Sequence, residues 1–149
     1  MLDIKIKKLD RTGNAKIPEY ATPGAAGADL YASLNEDMII KPGERVVIPT
    51  GIALELPGPQ FVALVFARSG LASKKGLALS NGVGVIDSDF RGEIKVLSVN
   101  LGQEAIVIQN GDRIAQMLFT NAYQASFLEV EELGDTLRGE GGFGSTGRK

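Results

Sequence analysis

Short apolar runs cut by glycine and proline turns govern what this chain can fold into. "IKIKKL" at 4–9 alternates apolar and charged residues, and "RVVIPTGIALELP" (45–57) and "QFVALVFAR" (60–68) are rich in β-branched and aromatic residues. "GEIKVLSVN" (92–100), "AIVIQNGDRIAQMLF" (105–119) and "SFLEVEEL" (126–133) continue the series. "KPGE", "PGPQ", "SNG", "QNGD" and "TPGAAGAD" supply turns. Helical periodicity is confined to "SGLASKKG" at 69–76. The expected class is all-β, a sandwich, jelly roll or barrel, with one β domain over residues 1–137 and a glycine-rich tail, "RGEGGFGSTGRK", over 138–149.

At 149 residues the chain is long enough to bury a core without disulfides. Cysteine and histidine are both absent, which excludes thiol nucleophiles, Ser-His-Asp triads and the usual zinc ligands. Chemistry falls to carboxylates, hydroxyls, Lys, Arg and backbone. Sixteen Lys and Arg against eighteen Asp and Glu give a net charge of −2 without a long basic run, so no nucleic-acid or anionic-membrane surface is expected. "MLDIKIKKLD" has no signal-peptide core, and no run of about eighteen apolar residues occurs, so a soluble cytoplasmic protein is expected.

Two stretches invite chemistry. "ARSGLASKKG" puts Arg68, Ser69 and Gly70 where a strand passes into a helix, a setting for phosphate; Ser69 as an ordinary N-cap beside a solvated Arg68 reads equally well. "NGVGVIDSDFRGEI" carries Asp87 and Asp89 two residues apart, sharing a face in a strand and diverging in a turn. Asp87, between Ile86 and Phe90, suits a base partly shielded from water. "PGAAGADLYA", ending near Asp29, allows tight packing or close approach to a ligand. In "GDRIAQMLF", Arg113 and Gln116 read as polar interruptions of a strand. Gly139, Gly141 and Gly144 match G-x-G-x-x-G, and Gly142 and Gly147 have P-loop spacing, but no helix can follow so near residue 149.

Taken in order, "PGAAGADLYA", "ARSGLASKKG", "NGVGVIDSDFRGEI", "GDRIAQMLF" and "RGEGGFGSTGR" resemble the five motifs of the trimeric dUTP pyrophosphatases, the dUTPases, across residues 23–148. The resemblance implies a jelly-roll β-sandwich forming a homotrimer with sites shared between chains. It implies hydrolysis of dUTP to dUMP and pyrophosphate with Mg²⁺, which limits dUTP incorporation into DNA and supplies dUMP for dTMP synthesis. By motif, Arg68, Ser69 and Gly70 would bind phosphates, and Asp87 would activate the water attacking the α-phosphorus. Asn81, Gly84, Val85 and Ile86, with Lys95 on the return strand, would form a narrow hairpin reading uracil. Gln116 would support the phosphate end, and Asp29 would order magnesium's water shell, with no direct protein ligand to the metal. Arg138, Phe143, Gly144, Ser145 and Thr146 would close over a neighbour's site as a flexible arm.

Phe90 stands where the family usually has Tyr, keeping a ring for the deoxyribose without its hydroxyl, and Lys75 stands where many members have His. The dCTP deaminases resemble the chain in several motifs, but their catalytic Glu falls at Leu97. A nucleotide-binding or signalling trimer that has lost its chemistry would lack Asp87, Ser69 or Phe143, and all three are present.

Overall fold

The computed structural model describes residues 2–9 and 13–142. Eleven short strands and one helix follow in order: β1 (Lys5–Lys8), β2 (Ala28–Tyr31), β3 (Met38–Ile40), β4 (Arg45–Pro49), β5 (Ile52–Glu55), β6 (Phe61–Ala67), α1 (Ser69–Lys75), β7 (Leu77–Leu79), β8 (Gly84–Ile86), β9 (Lys95–Asn100), β10 (Ile106–Ile108) and β11 (Arg113–Asn121). Every strand pairing among them is antiparallel. One sheet has the order β2-β11-β6-β8 and another β4-β9-β7, with the pairs β1-β5 and β3-β10 completing the sandwich. The all-β class read from the sequence is the fold observed, in the sandwich form that the resemblance implies.

The two-residue period sets the core. In β9, Val96, Ser98 and Asn100 turn inward while Lys95 and Leu97 face out. With Leu30, Ile40, Ile48, Ile52, Ile108, Ile114 and Met117 from the other strands and Ile94 from the loop before β9, Val96 builds one apolar cluster. Asn100, at 0% exposure, is the polar tie inside it. Its amide donates to the carbonyls of Ile40 (2.9 Å) and Glu104 (2.8 Å), and its oxygen accepts from the N–H of Gly102 (2.8 Å). Helix α1 is stopped by Gly76 at φ +76°, and a Cβ there would stand 2.3 Å from the nitrogen of Gly102. Gly76 is thus required both by its left-handed backbone and by the turn that Asn100 holds.

"SFLEVEEL" forms no strand here. β11 ends at Asn121, and residues 122–142 pair with no strand among the described residues. Phe127 (96% exposed), Leu128 and Leu133 lie open to solvent, because an alternating pattern makes a strand only where an edge is there to receive it. No helix of the described residues is long and apolar enough to cross a membrane.

Candidate active site

β6 carries the site, with a different half at each end. At its C-terminal end, Arg68, Ser69, Gly70, Gln116 and Asp29 meet in one open cleft of about 660 Å³, walled by Ala25, Ala26, Gly27 and Phe66. Gln116 is fixed by donating from Nε2 to the Ala67 carbonyl (3.1 Å). Gly27 permits this, since a Cβ there would stand 2.9 Å from Gln116 Oε1; the small-residue run is close packing against the cleft wall. Arg68 is the N-cap of α1 and Ser69 its first helical residue, so Ser69 is not the cap, and no side-chain cap bond is made. The Ser69 hydroxyl is left for the cleft. A Cβ added to Gly70 would meet nothing within 4 Å, so protein packing does not demand glycine there, whereas close approach of a ligand would.

Asp29 is only 7% exposed, and both its oxygens are engaged. Oδ1 forms an ion pair with Arg68, 2.8 Å from its Nε, and Oδ2 accepts a hydrogen bond from Arg113 Nη1 at 3.2 Å. Arg113, read from the sequence as a mere interruption, is therefore part of the cleft's charge network. Tyr31, two residues along β2, has its phenol pKa raised, first by burial and then by the negative charge of Glu19 and Asp29. Among the described residues no three His, Cys, Asp or Glu side chains cluster as a metal site. Magnesium carried by phosphate oxygens and water fits such a donor set, and each Asp29 oxygen retains a second lone pair for a bound water.

The other half lies beyond the N-terminal end of β6. β8 pairs with it in the register Gly84↔Val65, Val85↔Leu64 and Ile86↔Ala63, and is an edge strand with one side of its backbone free. Val85 is 61% exposed. The N–H of Phe90 closes a turn on the carbonyl of Asp87 (3.2 Å), so Asp87 and Asp89 sit in a turn rather than on a strand face. Asp87 lines a second depression with Val85, Ser88, Asp89, Arg91, Phe61 and Val62. Asp87 is exposed and Phe90 is 43% exposed, so the shielding expected around this carboxylate is absent within one chain. The narrow hairpin is also not closed by hydrogen bonds: β8 pairs with β6, whereas Lys95 opens β9, which pairs with β4 and β7. Asn81 is exposed in the turn before β8, and Lys95 lies 3.5 Å from Glu93. At Leu97 the outer face of β9 is apolar, opposite Val47, with no carboxylate.

Along the chain, Ala63, opposite Ile86, and Arg68 are five residues apart, so Asp87 and the Arg68 cleft are separated by about 15–20 Å. Arg138 is exposed and donates from Nε to the Gly141 carbonyl (2.8 Å) in a turn of its own. Phe143, Gly144, Ser145 and Thr146 lie outside the described residues.

An antiparallel sandwich with a guanidinium, a hydroxyl and an amide converging on one cleft defines a β protein suited to an anionic ligand. The dUTPase family model matches residues 13–147. A deoxyuridine 5'-triphosphate nucleotidohydrolase of Desulfitobacterium hafniense is 56% identical over 98% of this chain and 97% of its own, and one of a Thermoanaerobacter species is 51% identical over 97% of each. The dUTPase of Staphylococcus bacteriophage 80alpha, solved with dUPNHPP, superposes with a TM-score of 0.87 at 27% identity, covering 97% of this chain and 98% of that one. The chain belongs to the dUTPase family.

Proposed function

We propose that this chain hydrolyses dUTP to dUMP and pyrophosphate at sites completed between copies of the chain in a homotrimer. The observation that carries the shared site is the separation of the Arg68 cleft from Asp87 along β6: a nucleoside triphosphate cannot be held by one and attacked from the other within one chain. Exposed apolar residues, among them Phe127, Leu128 and Leu133, support association in the same direction.

In this reading the free edge of β8, over Gly84, Val85 and Ile86 with Asn81 and Lys95 beside it, offers backbone donors and acceptors to uracil. Phe90 packs under the deoxyribose, where its ring leaves no room for a 2′-hydroxyl. Arg68, Ser69, Gly70 and Gln116 of another chain receive the phosphates, and Arg68 offsets charge building on the leaving group. Asp87 takes a proton from water. The water oxygen bonds to the α-phosphorus and the bond to the α,β-bridging oxygen breaks, releasing pyrophosphate without a covalent intermediate. Magnesium on the phosphates would supply further charge neutralisation, with Asp29 positioned to accept from its waters. Residues 138–149 act as the flap, Arg138, Ser145 and Thr146 meeting phosphates, Phe143 stacking on uracil, and Gly144 allowing backbone to lie close. The product would feed dTMP synthesis in the cytoplasm.

Pyrophosphate release is measured with dUTP, dCTP and dTTP in the presence of Mg²⁺. dUTP alone is expected to turn over efficiently, because a backbone-walled pocket rejects the thymine methyl and the cytosine amine. Equal rates with dCTP or dTTP would overturn the uracil assignment, and no release from any of the three would overturn the enzyme.

A further inference from the structure

Arg113 and Gln116 are three residues apart on β11, a spacing that sends side chains to opposite faces of a regular strand. β11 is not regular there. Its ladder with β2 runs Arg113↔Tyr31, Ala115↔Leu30 and Gln116↔Asp29, so one extra residue sits between Arg113 and Ala115. Ile114 (2% exposed) and Ala115 (0%) are consecutively buried, which breaks the alternation of β11 at the bulge. The bulge brings Arg113 to the face that carries Tyr31, Asp29 and Gln116, the face of the phosphate cleft.

There Arg113 holds Arg68 in two ways. It shares the Asp29 carboxylate with it, and its backbone carbonyl accepts from Arg68 Nη1 at 3.4 Å. Asp29 faces the Nε edge of the Arg68 guanidinium and this carbonyl takes one Nη1 donor, leaving the Nη2 end for an anion. Without Arg113, the nearly buried Asp29 would keep one cation among the described residues, and a carboxylate with a single guanidinium partner favours the bidentate fork. Arg68 would then turn its donors from the cleft to Asp29.

We propose that Arg113 is a positioning residue: by occupying Oδ2 of Asp29 it limits that carboxylate to a one-oxygen ion pair with Arg68 and keeps the rest of the Arg68 guanidinium available to the triphosphate. The proposal rests on the reading of Arg68 as a phosphate ligand. Nothing in it requires Arg113 to touch the nucleotide.

The test is a double-mutant cycle in the intact protein, with binding of the α,β-imido analogue of dUTP and Mg²⁺ measured by calorimetry. Arg113→Gln and Arg113→Ala are each expected to weaken binding about tenfold in the wild-type background and less than about twofold when Arg68 is already Gln. Arg113→Lys, which keeps a charge beside Asp29, is expected to stay within about threefold of wild type. Either variant that folds decides the matter, and Arg113 is exposed enough for both to be tolerated. Equal losses in the two backgrounds, or no loss in the first, overturn the proposal. Wild-type protein that binds no analogue overturns the functional reading itself, an outcome distinct from wild-type binding with additive losses.

Discussion

Replacing Asn100 by Ala removes a side chain that joins strand β3, strand β9 and the turn supporting helix α1. Three hydrogen bonds are lost, and the Ile40 carbonyl, on a residue with 0% exposure, is left without that donor. An orphaned buried acceptor costs about 1–3 kcal/mol, and the two part-buried bonds, whose groups water can reach, cost about 0.5–1 kcal/mol each. The sum is about 3 kcal/mol, a large share of a typical stability of about 5–15 kcal/mol. With a urea m-value of about 2 kcal/mol/M the midpoint falls by about 1.5 M, measured at matched protomer concentration because association would shift it. Asn100→Asp, isosteric but aiming an oxygen at two carbonyls, is expected to be less stable than the Ala variant. An Ala variant within 1 kcal/mol of wild type, or an Asp variant above it, would refute this account of the turn.

Three further outcomes are expected. Asp87→Asn keeps the size of the side chain and removes the base, so kcat for dUTP should fall roughly a hundredfold or more with analogue affinity retained; near wild-type turnover would remove Asp87 from its role. Deleting residues 138–149 should leave a folded assembly that binds the analogue within about tenfold but hydrolyses dUTP roughly a hundredfold more slowly, since a closing segment acts mainly on turnover; unchanged kcat would return the tail to a terminus without a task. Glu55 has its pKa lowered from 4.5 by a hydrogen bond from Lys5 and by its charge, so the folded state holds this proton less tightly than the unfolded one. The stabilisation is present above the ordinary carboxylate pKa and is lost as pH falls through the lowered value; melting curves taken downward past pH 4.5 should converge for wild type and Glu55→Gln, and parallel curves would contradict the pairing.

The strands were legible because alternation and turn residues are local signals, and β1, β4, β5, β6, β9, β10 and β11 lie where their apolar runs predict. "SFLEVEEL" was misread for the complementary reason: alternation records the capacity to pair and carries nothing about the partner. The convergence of Arg68, Ser69, Gly70, Asp29 and Gln116 followed from motif resemblance, whereas spacing alone left Ser69 undecided between cap and ligand until its place as the first helical residue was visible. Arg113 was missed because its partner Asp29 lies 84 residues away. A signal was present in "RIAQM", where adjacent Ile114 and Ala115 break the alternation and mark the bulge. The exposure of Asp87 was equally hidden, since sequence neighbours such as Ile86 and Phe90 do not say which face of a turn they cover.

The central claim is that the Arg68 cleft of one chain and the Asp87 turn of another form a single site. Arg68→Gln and Asp87→Asn variants, each nearly inactive alone, are unfolded together in equal amounts, refolded, and assayed for pyrophosphate release from dUTP. Random assembly gives about one site in four with both halves intact, so the mixture should recover about a quarter of wild-type activity. Activity in the mixture no greater than the mean of the two variants, from chains shown by mass to have mixed, would contradict the shared site.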